Sequence, residues 1–133
     1  MAYPSSPFIR PWLYRGRIVS GRGLGRKIGA PTFNIPLRDK KIPHGIFAGL
    51  VVVGDHAYPA VIHAGPRPAV GDMTPIVEAH LLRGIPKQPP RSIIVMGLHR
   101  LRSIKPFRTR IALIKAITQD IQKARHSLGI PAI

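Results

Sequence analysis

Short apolar stretches, separated by proline and glycine, alternate with polar positions along most of the chain. Tyr14–Ser20 is rich in β-formers, and Gly45–Val53 (GIFAGLVVV) sets β-branched and apolar residues between turn signals. Tyr58–Ala64, Ile76–Leu82 and Ser92–Leu101 follow the same pattern, and Thr32–Ile35 fits a further short strand. Runs of this length with turn chemistry between them predict an all-β barrel or sandwich. The 15 prolines and 13 glycines fall between the stretches rather than in a low-complexity tract, so they read as turns. Residues 1–12 (MAYPSSPFIRPW) hold three prolines and predict an irregular N-terminal arm.

The period changes near the C-terminus. From Thr109, apolar residues recur at Leu113, Ile117, Ile121, Ala124 and Leu128, which is helical spacing. Thr109 suits an N-cap, Gly129 a C-terminal stop, and Pro131 forbids continuation, so the spacing predicts a helix over 109–128. The outline is six short antiparallel strands followed by one amphipathic helix on the sheet.

Composition narrows the function classes. With 133 residues the chain is expected to be a single domain, large enough to bury a real core. The longest apolar run, Ile46 to Val53, is far short of the roughly 20 residues a membrane-spanning helix needs. Residues 1–10 hold no uninterrupted apolar stretch, so no signal peptide is expected and the chain is expected to be cytoplasmic. The absence of cysteine excludes disulfides, thiolate zinc sites and cysteine nucleophiles. A net charge of +16, from 21 Lys and Arg against 5 Asp and Glu, points to an anionic partner without saying which.

Three segments could carry chemistry. Gly21–Gly29 (GRGLGRKIG) places four glycines and three cations in nine residues, so backbone N–H groups and positive side chains can approach a polyphosphate together. It is neither a P-loop nor a Rossmann turn, and a flexible hairpin loop is the plain alternative. Pro31-Thr32-Phe33-Asn34 offers two oxygen ligands, Thr32 and Asn34, on one face of an extended segment. Hard cations such as Mg²⁺ accept such ligands together with phosphate oxygens and water. An Asn34 turn is the competing reading. Glu78, the sole glutamate, shares a strand face with Ile76, His80 and Leu82. In so basic a chain its ionised form is favoured, which suits a base or a metal partner. A Glu78–His80 metal pair is a further option, as is a plain ion pair with one of the arginines.

In this order the segments resemble the riboflavin kinase family. Arg15-Gly16-Arg17-Ile18-Val19-Ser20-Gly21, then Gly25-Arg26 and Gly29-Ala30-Pro31-Thr32-Phe33-Asn34, is similar to its Gly-Arg…Gly-x-Pro-Thr-Ala-Asn opening, with Phe33 in place of Ala. Pro43–Ala48, Gly65-Pro66-Arg67-Pro68, Val77–Leu82, Leu101–Phe107 and Leu113–Ala124 resemble its later motifs. The likeness spans residues 14–128, and the glycine loop resembles the bacterial version, expected here as a kinase domain standing alone. Ile85–Arg91 replaces the family's Asp-x-Tyr-Gly segment, Ile104 its glutamate after Leu-Arg-Pro, and Ala69 its turn threonine.

The resemblance implies a six-stranded antiparallel Greek-key barrel with a C-terminal helix. It implies transfer of a phosphoryl group from ATP to the riboflavin 5′-hydroxyl, giving FMN and ADP, with Mg²⁺ or another divalent metal such as Zn²⁺. Glu78 would act as base, and Thr32 and Asn34 would hold metal and ATP phosphates. Gly21, Arg26, Leu81 and Arg83 would lie along the nucleotide, and Arg102, Lys105 and Phe107 on the flavin side. A monomer is expected, with nonspecific polyanion binding at low salt. The rival reading is a basic nucleic-acid-binding barrel that has kept the fold and lost or reduced the activity. It draws on the nine Lys and Arg, with no acid, between Glu78 and Asp120.

Overall fold

A computed structural model describes residues 8–19 and 31–131. Its strands are β1 (Phe8–Arg17), β2 (Thr32–Pro36), β3 (Gly45–Val53), β4 (His56–Arg67), β5 (Asp72–Leu81) and β6 (Ser92–Arg102), followed by the helix α1 (Arg110–Ser127). All pairings are antiparallel, in the order β1-β6-β3-β4-β5-β2. The central strands β3, β4 and β5 are successive hairpins. β6 then crosses back beside β3, which is the Greek-key return.

The sheet curls until its two edge strands approach. Val19 N–H, just past the end of β1, donates to the Asn34 carbonyl of β2 at 2.9 Å, a single bridge. The Tyr14 hydroxyl donates to the Pro36 carbonyl at 2.7 Å and accepts from Arg38 N–H at 3.0 Å. Gly16 lies against Ile35, where a Cβ would stand 3.1 Å from the Ile35 Cβ, so a larger residue would prise this seam apart.

Inside the curl, Ile35, Phe47, Val51, Ile62, Val77, Leu81, Ile93 and Val95 are fully buried. Removing each such side chain from water contributes about 1.5–3 kcal/mol. They come from alternate positions, as period-two patterning requires.

The N-terminal expectation needs correction, because β1 already begins at Phe8 instead of leaving residues 8–12 as an irregular arm. Pro11 lacks an N–H, but β1 pairs with β6 on one side only, and the register shift between Phe8 and Trp12 absorbs the defect. Trp12 is buried, meets Phe47 edge-on at 5.3 Å, and takes the space that Gly97 leaves by having no Cβ.

Helix α1 forms where its spacing and caps predict. Thr109 is extended, and its hydroxyl accepts from Ala112 N–H at 3.1 Å. At the other end Gly129 takes a φ of 69°, while Ile130 and Gly129 N–H groups reach the Arg125 and His126 carbonyls. Ala124, Ile121 and Leu128 pack on Ala48, Val61, Leu82 and Leu101 of the sheet's outer face. Asp120, polar among apolar neighbours, is buried because it accepts two bonds from Arg102, at 2.9 and 2.8 Å. Removing either partner of such a pair costs about 3–5 kcal/mol. No helix among the described residues is long and apolar enough to cross a membrane.

Candidate active site

Strand register builds the site. Asn34 of β2 lies opposite Glu78 of β5, Glu78 opposite His63 of β4, His63 opposite Ile46 of β3, and Ile46 opposite Arg102 of β6. This row crosses five strands on the outer face, opposite the core. In the next row Thr32 faces His80, His80 faces Val61, and Val61 faces Ala48. Helix α1 covers the Ala48–Val61 end. At the other end the side chains of Thr32, Asn34, Glu78 and His80 come together, although the sequence separates them by more than forty residues.

The oxygens of β2 are incompletely partnered. Asn34 is 2% exposed, and among the described residues neither its Oδ1 nor the buried Thr32 Oγ1 has a hydrogen-bond partner. A buried polar atom left so costs about 1–3 kcal/mol, an unusual burden for two neighbours on one strand. Both are neutral oxygen donors of the kind a hard divalent cation accepts, so this pair fits a metal whose other ligands are phosphate and water. No group of three His, Asp or Glu among the described residues could hold a metal by itself. Glu78, one half of the Glu78–His80 pair, instead turns to an arginine.

That arginine is Arg67. Its Nη1 stands 3.5 Å from Glu78 Oε2, and its Nη2 bonds Asp72 Oδ2 at 3.0 Å. Burial pushes the Glu78 carboxyl above the usual range, and the nearby Arg67 charge partly offsets this. A carboxylate raised in this way accepts a proton more readily than a solvated one. Burial holds His63 and His80 below the usual imidazole value, so both are neutral at pH 7. His63 Nε2 donates to the Pro66 carbonyl at 2.7 Å, leaving Nδ1 as an acceptor.

The remaining expected site residues divide. Gly21 and Arg26 lie outside the described residues. Leu81 cannot line a nucleotide with its side chain, which belongs to the core; only its backbone is at the site, its N–H donating to the Pro31 carbonyl at 3.0 Å. Arg83 is exposed just beyond the same end of β5. Arg102 and Lys105 both stand over the Phe107 ring, at 5.6 and 5.4 Å from its centre, so the three residues expected on the flavin side form one cluster. Arg102 is engaged by Asp120, and it orients the segment after β6 through a bond to the Ser103 carbonyl at 3.0 Å.

Three functional neighbours were not singled out from the sequence: Arg67, His63 and Asp120. Alternation along Val61-Ile62-His63 could have placed His63 on the polar face. Arg67 lay hidden in a turn motif, and Asp120 in a run read for its apolar spacing.

The riboflavin kinase family model matches residues 8–128. A bifunctional riboflavin kinase/FMN adenylyltransferase from Pseudomonas fluorescens is 33% identical over 92% of this chain and 40% of its own length. The chain thus spans about two-fifths of such bacterial relatives. The riboflavin kinase of Homo sapiens is 30% identical, over 91% of this chain and 83% of that protein. The crystal structure of riboflavin kinase from Trypanosoma brucei shares the fold, with a TM-score of 0.58 and 24% identity over 92% of this chain and 83% of that one.

Proposed function

The chain belongs to the riboflavin kinase family, and from that premise we propose that it phosphorylates the 5′-hydroxyl of riboflavin with ATP, giving FMN and ADP. One observation carries this reading: two buried oxygens without a partner among the described residues, Thr32 Oγ1 and Asn34 Oδ1, on the strand paired with the sole glutamate. In the reaction the riboflavin oxygen bonds to the γ-phosphorus as the bond to the ADP oxygen breaks, and the hydroxyl proton passes to Glu78. Such a transfer requires positioning and charge neutralisation more than covalent help.

Thr32 and Asn34 would hold a divalent metal, Mg²⁺ or Zn²⁺, and with it the ATP phosphates. When bound, the metal supplies charge neutralisation between the phosphates. Exposed Arg83 adds positive charge at the same end of β5. Phe107, with Arg102 and Lys105 over it, offers a flat face with fixed cations to the flavin. On this reading residues 1–133 act as a single kinase domain, cytoplasmic and monomeric.

The test is ATP-dependent conversion of riboflavin to FMN, resolved chromatographically, with and without chelator. Turnover that stops with chelator and returns with Mg²⁺ or Zn²⁺ supports the reading; no FMN under any metal refutes it. The rival, a basic nucleic-acid-binding barrel, explains the charge but leaves the Thr32–Asn34–Glu78 cluster without a purpose.

A further inference from the structure

We propose that Arg67 is a positioning residue for this transfer: anchored by Asp72, its guanidinium holds the Glu78 carboxylate turned toward the attacking hydroxyl. The proposal rests on the kinase reading and deepens it.

The anchor is built by the β4–β5 hairpin. Arg67 closes β4 opposite Asp72, the first residue of β5, and the short helical turn Pro68–Val70 with Gly71 at a φ of 74° joins them. Asp72 is itself fixed, because its Oδ1 accepts from Thr74 N–H at 3.0 Å while Oδ2 takes Arg67 Nη2. The guanidinium is planar and rigid, so anchoring one nitrogen sets the direction of the other. That other nitrogen, Nη1, approaches Glu78 Oε2 alone. Among the described residues Glu78 Oε1 has no hydrogen-bond partner, and so it is the oxygen left for a substrate hydroxyl.

The separation matters. At 3.5 Å the contact is an ion pair without a short hydrogen bond. Because it falls on Oε2, it orients the carboxylate without engaging the Oε1 lone pair that must take a proton. Both side chains are only about one-fifth exposed, so the attraction is screened less than at the surface. Among the described residues, the other charged or titratable groups around this pair, besides Asp72, are His63 on β4 and His80 on β5, both neutral, and Arg102 on β6, which is engaged by Asp120. Among the described residues Arg67 is thus the cation that sets the direction of Glu78.

A purely structural Arg67 would staple the hairpin and do nothing else, and kinetics separate the two. Arg67→Met, Arg67→Lys, Arg67→Gly and Asp72→Asn are compared with wild type by thermal midpoint, kcat and both substrate KM values. Misdirecting a catalytic group by about 1 Å can cost on the order of 10²-fold. We expect Arg67→Met to lose about 10- to 100-fold in kcat with KM values within about threefold, the pattern of an interaction made in the transition state. Lysine, a point charge on a flexible stem, should recover part of the loss. Ethylguanidinium added to Arg67→Gly should raise its kcat while leaving wild type unchanged, which keeps the test valid if the methionine variant folds poorly. Asp72→Asn should lose about two- to tenfold through a loosened anchor.

A folded Arg67→Met with kcat within threefold of wild type, or an Arg67→Gly that ethylguanidinium does not rescue, overturns the proposal. Glu78→Gln run alongside identifies which layer has failed. If it is inactive while Arg67→Met is not, only the role of Arg67 falls. If Glu78→Gln itself turns over normally, the base assignment falls with it.

Discussion

Along β2 and β5, successive residues face opposite ways, and the two faces are finished differently. Ile35, Val77 and Ala79 look inward and are fully buried among apolar neighbours. Asn34 and Glu78, next to them in sequence, look outward, where among the described residues Asn34 Oδ1 lacks a partner and the Glu78 carboxyl is raised by burial. One face has reached its most stable state and the other has not. An unsatisfied group kept beside a satisfied core marks a place where something else is meant to bind. Substitutions one residue apart should therefore have opposite consequences, for folding on one side and for turnover on the other.

The largest effect is expected at Glu78. Glu78→Gln should lower kcat by about 10²–10⁴-fold, the usual worth of general-base help, while nucleotide binding stays nearly intact. Steady-state kinetics with an ATP-analogue binding assay checks this, and turnover within threefold of wild type would remove the base assignment. Its inward neighbour should behave in the opposite way. Ile35→Ala should reduce unfolding free energy by about 2–5 kcal/mol, measured by urea denaturation, with kcat per folded molecule unchanged.

Much of this contrast was legible before the structure. β3 runs over the residues that its apolar stretch marks, β2 differs from its expected span by one residue, and α1 lies between its expected caps. These segments have local causes: period, β-branching, Thr109 and Gly129. What the residues alone could not supply was register. Nothing between Asn34 and Glu78 in the chain states that they are opposite each other; that follows from which strands pair. Only the ordered resemblance put Thr32, Asn34 and Glu78 together, and it gave no role to Arg67 or His63. The start of β1 was missed because proline content reads as irregularity, whereas on an edge strand a missing N–H is tolerated.

Smaller effects should follow on β2. Thr32→Val and Asn34→Ala should each raise the metal concentration for half-maximal activity by about tenfold, because each removes an oxygen ligand. Thr32→Val, which conserves volume, should not weaken the fold. Deleting a buried oxygen that lacks a partner relieves a penalty of about 1–3 kcal/mol, so Thr32→Val is expected to unfold at a higher temperature than wild type. Unchanged metal half-saturation in both variants would sink the ligand assignment, and a marked loss of stability in Thr32→Val would mean that its oxygen is satisfied after all.

The outer face should also show in the pH dependence of stability. Glu78 is raised by burial, with Arg67 opposing, so the folded state favours the neutral carboxyl. That contribution is full below the unfolded value of about 4.3 and is lost as pH rises through the folded one. Glu78→Gln, which stays neutral, should be more stable than wild type at pH 7, with the difference closing in acid. His63 and His80 act with the opposite sign, since burial lowers both. Their contribution is full above about pH 6.5 and is lost as pH falls toward the folded values. Replacing both by glutamine should flatten the melting temperature between pH 7 and 5; an unchanged slope would place their ionisation elsewhere.

The smallest expected effect concerns the charge. Among the described residues only Arg67 and Arg102 pair with a carboxylate, which leaves most of the cations free of one. They are dispersed: Arg10, Arg15 and Arg17 are exposed on β1, Arg38, Lys40 and Lys41 follow β2, and Arg110, Lys115 and Lys123 are exposed on α1. So scattered a set contacts few phosphates of one strand at a time. Trp12 and Phe47 in the core and Tyr14 at the seam are not free to stack bases. A labelled 20-nucleotide strand should therefore bind at low salt and be released by physiological salt. Even six phosphate contacts on a single strand lose about 300-fold in affinity between 50 and 200 mM. Lys123→Gln should weaken the low-salt binding only about twofold, because one charge among many is removed. Fluorescence anisotropy across a salt series decides the matter. Submicromolar binding at about 150 mM salt, abolished by replacing Arg108, Arg110 and Lys123 with glutamine, would show that the basic surface is a nucleic-acid site in its own right.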